Sequence, residues 1–152
     1  MLSYDKLAAI AELIYKYLPS VKSIGSFARI TDVTPKTEEE LAKLRDIGYD
    51  SLTIGIETGD DEALRFMNKG YASADIIEQC QRLDAAGINY SFFYLVSISG
   101  AGRGEIGAEL TADICNQQLP KDKKKLLSFL GEIIGNVNEE ELKRYRRSVR
   151  HL

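Results

Sequence analysis

Glu57 and Lys69 are the residues of this chain whose type and placement point most directly to ligand chemistry. They stand within residues 52–70, LTIGIETGDDEALRFMNKG. An apolar, β-branched run ends at Glu57. An acidic turn follows, then a short helical stretch over residues 60–66, then the polar Asn68-Lys69-Gly70. In a parallel sheet the carboxyl ends of the strands face the ligand crevice, so charges placed there meet a substrate.

A second candidate is the loop that contains Gly102-Arg103-Gly104-Glu105-Ile106-Gly107, which literally matches GxGxxG. A dinucleotide fold would need a further strand carrying an acid about 20 residues on, to hold the ribose. Lys121–Lys125 occupy that region instead, and the loop already begins at Ser97-Ile98-Ser99-Gly100. The narrower expectation is that a glycine-rich loop at a strand end lets a ligand approach the backbone. The helix start beyond it can receive negative charge.

Cys80 and Cys115 are the two cysteines, and no CxxC or similar spacing relates them. Both fall in predicted helices, on or near apolar faces, and are read as buried structural thiols rather than metal ligands. The lone His151 sits at a terminus and receives no role.

These residues need elements to position them. In residues 5–18, Leu7, Ile10, Ala11, Ile14 and Leu18 recur at helical spacing, and Pro19 ends the helix. Residues 21–27 read as a strand. Thr37-Glu38-Glu39-Glu40 fits a capping box opening a helix that turns Leu41, Leu44 and Ile47 inward and stops at Gly48. Strand 52–56 follows. Ser73 or Asp75 caps the next helix, which carries Ile76, Ile77, Cys80, Leu83 and Ala86 along one side and closes at Gly87. Residues 88–96 form the last strand. Helix, glycine, apolar strand thus occurs twice, which predicts βα units and a parallel sheet. Right-handed crossovers would bring Arg29, Glu57 and the loop after Val96 to one rim.

After about residue 118 the pattern changes to two helices, residues 121–134 and 138–149, with no strand between them. Lys/Arg outnumber Asp/Glu nine to five from Leu119 onward, whereas the rest is acidic. The run lacks interleaved aromatics for base stacking, so nucleic-acid binding is not expected. The domain reading is therefore residues 1–117 as a βα unit and 118–152 as a basic helical tail.

A chain of 152 residues, 44% hydrophobic and 28% charged, suits one globular domain. A net charge of -3 gives no global preference for nucleic acid or anionic membrane. No apolar run approaches the roughly 20 residues that span a bilayer. Residues 1–6 lack a basic region followed by an apolar one, so a cytoplasmic location is expected.

The run IGIETGDDEALRFMNKG, the helix ending DAAGI, and YSFFYLVSISGAGRG together resemble the middle of a radical S-adenosylmethionine (SAM) enzyme. The similarity covers about residues 5–117. It is nearest to the branch with oxygen-independent coproporphyrinogen oxidases, methylthiotransferases and related iron–sulfur oxidoreductases. The resemblance implies a partial TIM-like βα barrel. It also implies a parent protein that binds SAM and an unidentified substrate, holds a [4Fe–4S] cluster on a three-cysteine loop, and reductively cleaves SAM to a 5′-deoxyadenosyl radical.

By the same resemblance, Glu57 contacts the SAM ribose and Lys69 its carboxylate. Tyr94 and Ser97 flank the strand end beside the nucleoside, Gly100 and Gly102 belong to the glycine stretch, and Arg29 faces the same crevice. No catalytic or metal-ligating residue is assigned. The chain departs from the family in lacking CxxxCxxC, so it does not ligate the cluster. Ser97 stands where many relatives have glycine. The chain is therefore expected to be a fragment, inactive alone, that self-associates through open sheet edges. Two other readings stay open: a non-catalytic βα module for a nucleotide-like ligand, and an RNA-facing domain acting through the basic tail.

Overall fold

The alternating patterns become three parallel strands in the order β1-β2-β3, in a computed structural model that describes residues 2–118. The elements are α1 (Tyr4–Tyr17), β1 (Ile24–Arg29), α2 (Ile30–Val33), α3 (Glu38–Asp46), β2 (Tyr49–Glu57), α4 (Asp61–Phe66), α5 (Ser73–Ala85), β3 (Asn89–Tyr94) and α6 (Gly104–Gln118). The α/β class of parallel βα units is the one the chain adopts. The tail helices, the basic run and His151 lie outside the described residues.

Register decides which residues share the rim. Arg29 pairs with Gly55, and Tyr94 pairs with Glu57. Arg29, Glu57 and Tyr94 are the last residues of their strands, so three parallel carboxyl ends meet on one side of the sheet.

One face of the sheet is packed. Ala28, Leu52, Ile54, Ile56 and Phe92 join Ile30, Val33, Leu41, Leu64, Ile76, Cys80, Leu83 and Ile114 in the main core. A smaller cluster of Leu7, Ala11, Ile24, Leu44 and Tyr49 seats α1, and the Tyr49 hydroxyl donates to the Leu7 carbonyl at 3.0 Å. The opposite face mixes polar and aromatic residues. It carries Ser51, Thr53, Gly55 and Ser91 around two phenylalanines, Phe27 and Phe93, that stack with ring centroids 6.0 Å apart.

Local signals hold where side chains make them. The Thr37 hydroxyl accepts from the Glu40 amide at 3.1 Å, and Glu40 accepts from the Thr37 amide at 2.9 Å. At α5 the Asp75 carboxylate accepts from the Ala72 amide at 2.7 Å, so the N-cap position is Ala72.

Boundaries set by pairing differ from the sequence expectation. β1 begins at Ile24, not Val21, because the Val21 amide is used in a turn to the Leu18 carbonyl. The ladder starts where the Ile24 amide reaches the Gly48 carbonyl at 2.8 Å. α2 was not foreseen; its two apolar residues, Ile30 and Val33, are fully buried. Ile10 and Leu18, which share the helical spacing of the apolar residues, are exposed, since α1 meets the domain along the narrow stripe of Leu7 and Ala11.

Candidate functional site

The site is built at the end of β2. Glu57 closes this strand with φ 61°, a left-handed conformation that is uncommon outside glycine and costs roughly 1–2 kcal/mol. Its carbonyl accepts from the Leu95 amide at 2.8 Å, which ties the exit of β2 to that of β3. Tyr71 secures the same strand end, its hydroxyl lying 3.2 and 3.1 Å from the Gly55 and Ile56 carbonyls. Burial, then the nearby Glu57 charge, pushes the Tyr71 phenol up to about 12, so it stays a donor.

α4 returns the chain to this point. The Asp60 carboxylate caps it by accepting from the Glu62 amide at 3.0 Å. The helix ends through Asn68 at φ 53° and Gly70 at φ 76°, two left-handed residues around Lys69. Lys69 is thereby turned toward β2, and its ammonium donates to Glu57 Oε1 at 2.9 Å. The two side chains keep 31% and 19% exposure, so this pair is partly open to ligand and solvent. Gly55 leaves room for the carboxylate: a Cβ there would lie 3.0 Å from Glu57 Oε1. A shallow cleft of ≈ 370 Å³ opens beside Lys69, lined by Leu64, Arg65, Asn68, Tyr71 and Asp75 among others.

The glycine-rich loop follows β3. Ser97, Gly100 and Gly102 have φ values of 64°, 96° and 76°. A Cβ at Gly100 or Gly102 would meet nothing within 4 Å, so their backbone faces open space. α6 then packs tightly behind the site. The Thr111 hydroxyl accepts from the Gly59 amide at 2.8 Å and donates to the Gly107 carbonyl at 2.6 Å. A Cβ at Gly59 would lie 2.5 Å from the Leu110 carbonyl oxygen, so only glycine permits this approach.

The sequence-derived candidates fall out as follows. Glu57 and Lys69 are in direct contact. Tyr94 is opposite Glu57 in the ladder and half-buried, with its phenol pushed up by burial and then by Cys115. Ser97, Gly100 and Gly102 form the loop beyond β3. Arg29 reaches the rim but is engaged by Asp32, its Nε and Nη2 each 3.0 Å from a carboxylate oxygen. That guanidinium holds the Asp32 carboxyl well below the usual carboxylate range.

Asp60, Tyr71 and Arg103 were not singled out. Arg103 Nη2 lies 3.0 Å from Asp60 Oδ2 and 2.9 Å from Glu62 Oε2. Burial raises the Asp60 carboxyl, but Arg103, the neighbouring Ser99 and the amides of Glu62 and Ala63 outweigh it, and the net shift is downward. Ser99 Oγ itself is buried and completes no hydrogen bond of good geometry. A helix-capping Asp was legible as local grammar; its long-range arginine was not.

The donor set suits a nucleoside carrying an anionic group. Glu57 Oε2 is not used by Lys69, and a carboxylate oxygen can accept from ribose hydroxyls. Lys69 has two further N–H donors for a carboxylate. An iron–sulfur cluster does not fit the described residues. Burial pushes the Cys80 thiol to about 12 and the Cys115 thiol to about 11, whereas cluster ligands are thiolates. Among the described residues no group of three or more His, Cys, Asp or Glu could hold a metal ion, and no helix is long and apolar enough to cross a membrane.

Among solved structures, the chain is similar to the cobalamin-dependent S-adenosylmethionine radical enzyme OxsB with aqua-cobalamin bound, at 20% identity and a TM-score of 0.55, covering 73% of this chain and 16% of that one. It is also similar to OxsB with aqua-cobalamin and S-adenosylmethionine bound, at 22% identity and a TM-score of 0.57, covering 91% of this chain and 19% of that one. At these identities the likeness shows a shared fold, over less than a fifth of the OxsB chain. No curated protein matches. The Radical SAM superfamily matches residues 2–108, most of the described sheet and helices, and this chain belongs to that family.

Proposed function

We propose that the chain supplies the nucleoside- and carboxylate-binding rim of a radical SAM oxidoreductase, and that cysteines outside this sequence hold the cluster. The observation that carries this reading is the Glu57–Lys69 pair, held at 2.9 Å on a strand end whose backbone is left-handed at Glu57. Strained, non-glycine residues at a strand end mark sites where geometry serves binding. Glu57 Oε2 accepts from the ribose hydroxyls. The Lys69 ammonium meets the ligand carboxylate while remaining on Glu57. Tyr94 walls the nucleoside side, and Ser97, Gly100 and Gly102 let the ligand lie against the backbone. Arg29 contributes positive potential from the adjacent strand end, with Asp32 fixing its direction. When bound, SAM supplies the adenosyl group for radical chemistry.

On this reading the chain alone is inactive, because its two cysteines, the buried Cys80 on α5 and the half-buried Cys115 on α6, fall short of the three thiolates of the family's cluster loop. Calorimetry with SAM on the full chain, wild type against Glu57→Gln, tests the rim. Binding should be present in the first and weakened at least several-fold in the second; equal affinities would sink the assignment. Anaerobic incubation with iron and sulfide tests the cluster: no charge-transfer absorbance is expected from this chain, and its appearance would contradict the reading.

A further inference from the structure

We propose that Arg103 is a positioning residue for the ligand site. It holds loop 97–103 against the turn after β2, so that the loop and the Glu57–Lys69 pair form one prearranged surface. This inference rests on the SAM reading above and goes beyond it, since nothing in that reading uses Arg103.

Apart from Ser99, whose hydroxyl is buried beside Asp60, the loop has little else to hold it. Three of its residues, Ser97, Gly100 and Gly102, have left-handed backbones, and no atom beyond the adjoining residues lies within 4 Å of where side chains at the two glycines would begin. Its internal bonds are two short-range turns, from the Gly100 amide to the Ser97 carbonyl and from the Arg103 amide to the Gly100 carbonyl, each 3.2 Å. Such a segment loses much backbone entropy when ordered, so an outside tether sets how often it is in one conformation.

Arg103 provides the tether. Its guanidinium reaches Asp60 Oδ2 at 3.0 Å, and the Asp60 side chain is only 3% exposed. Asp60 is itself fixed: Oδ1 accepts from the Glu62 amide at 3.0 Å, and its own amide donates to the Thr58 hydroxyl at 3.1 Å. A buried carboxylate locked this way is a preset anchor, and the pair is charge-assisted. The second partner, Glu62, is 67% exposed and adds little. Asp60 belongs to the turn that leaves Glu57, so ordering at either end is felt at the other.

Ligand affinity scales with the fraction of the protein in the competent state. Hydrogen exchange and SAM calorimetry on the full chain, comparing wild type with Arg103→Gln and Arg103→Lys, test the proposal. In Arg103→Gln, exchange should accelerate in residues 97–103 while the later part of α6 is unchanged, and SAM binding should weaken about tenfold, as expected when the competent fraction falls to about one in ten. Arg103→Lys should recover part of both effects. Unchanged loop exchange alongside normal SAM binding overturns the tether alone. Faster exchange spread equally over α6 and the core, or a loosened loop with undiminished affinity, also overturns it. A wild-type chain that gives no SAM signal overturns the functional reading and the ligand half of this proposal together.

Discussion

Lys69 donates to Glu57 across the end of β2 at 2.9 Å, joining residues that α4 separates in the chain. Both belong to left-handed exits: Glu57 is itself at φ 61°, and Lys69 follows Asn68 at φ 53°. The pair therefore depends on two left-handed conformations, one that Asn68 tolerates by residue type and one, at Glu57, that surrounding bonds must hold.

That strain yields the first prediction. Glu57→Ala and Glu57→Gly both remove the carboxylate, and both should lose SAM binding. Glycine accepts φ 61° without penalty, so Glu57→Gly should be more stable than Glu57→Ala by about 1 kcal/mol. Lys69→Met should cost under about 1 kcal/mol, because a partly exposed pair is worth little to stability. Urea denaturation of the three variants measures all of this. An alanine variant as stable as the glycine one would mean that Glu57 is unstrained.

The packing of α6 gives a second. A Cβ at Gly59 meets backbone, the Leu110 carbonyl oxygen at 2.5 Å and its carbon at 2.8 Å. At Gly107 the closest atoms belong to a side chain, the Ser99 hydroxyl, which can rotate, and the Ser99 Cβ at 2.9 Å. Gly59→Ala should thus cost on the order of 1–3 kcal/mol by overpacking, and more than Gly107→Ala. Thermal melts of the pair check the ranking, and reversal would place the tight contact elsewhere.

The thiols make a third. Cys80 is fully buried, and its thiol is pushed from an ordinary 9.0 to about 12 by burial, with Asp84 adding to it. Below pH 9 folded and unfolded states both keep this proton. Above it the unfolded state ionises first, so the contribution to stability falls as pH rises toward about 12, by roughly 1.4 kcal/mol per unit for one group. Cys80→Ala should flatten the alkaline limb of a pH–stability curve. In the native protein neither Cys80 nor Cys115 should label with a thiol reagent at pH 8, and both should label in denaturant. Fast native labelling would mean that the thiols are accessible.

The open sheet face supplies the fourth. Phe27 is 73% and Phe93 52% exposed, stacked on each other above Gly55. Stacked aromatics on an uncovered sheet favour association. Sedimentation of the full chain should show concentration-dependent self-association that Phe27→Ser with Phe93→Ser reduces. A monomer at all concentrations, indifferent to the double change, would contradict it.

Much of this molecule is written locally. Helical spacing in α1, α3 and α5, the Thr37–Glu40 box and the glycines at 48 and 87 depend on neighbours in the chain, so they are legible before folding. So is the α/β class, because alternation of helix and strand leaves few topologies. Glu57 and Lys69 could be chosen as polar residues ending apolar segments. Their direct contact could not, since it requires, besides the turn at Asn68, a left-handed backbone at Glu57 that its residue type does not favour. The limits of β1, the burial of Ile30 and Val33 in α2, and the exposure of Ile10 were decided by pairing and packing between distant segments. Arg103 is the clearest case. Beside its glycines it reads as a loop cation, and only the folded chain brings it to Asp60, because a 3.0 Å pair between residues 60 and 103 is a property of packing and not of spacing.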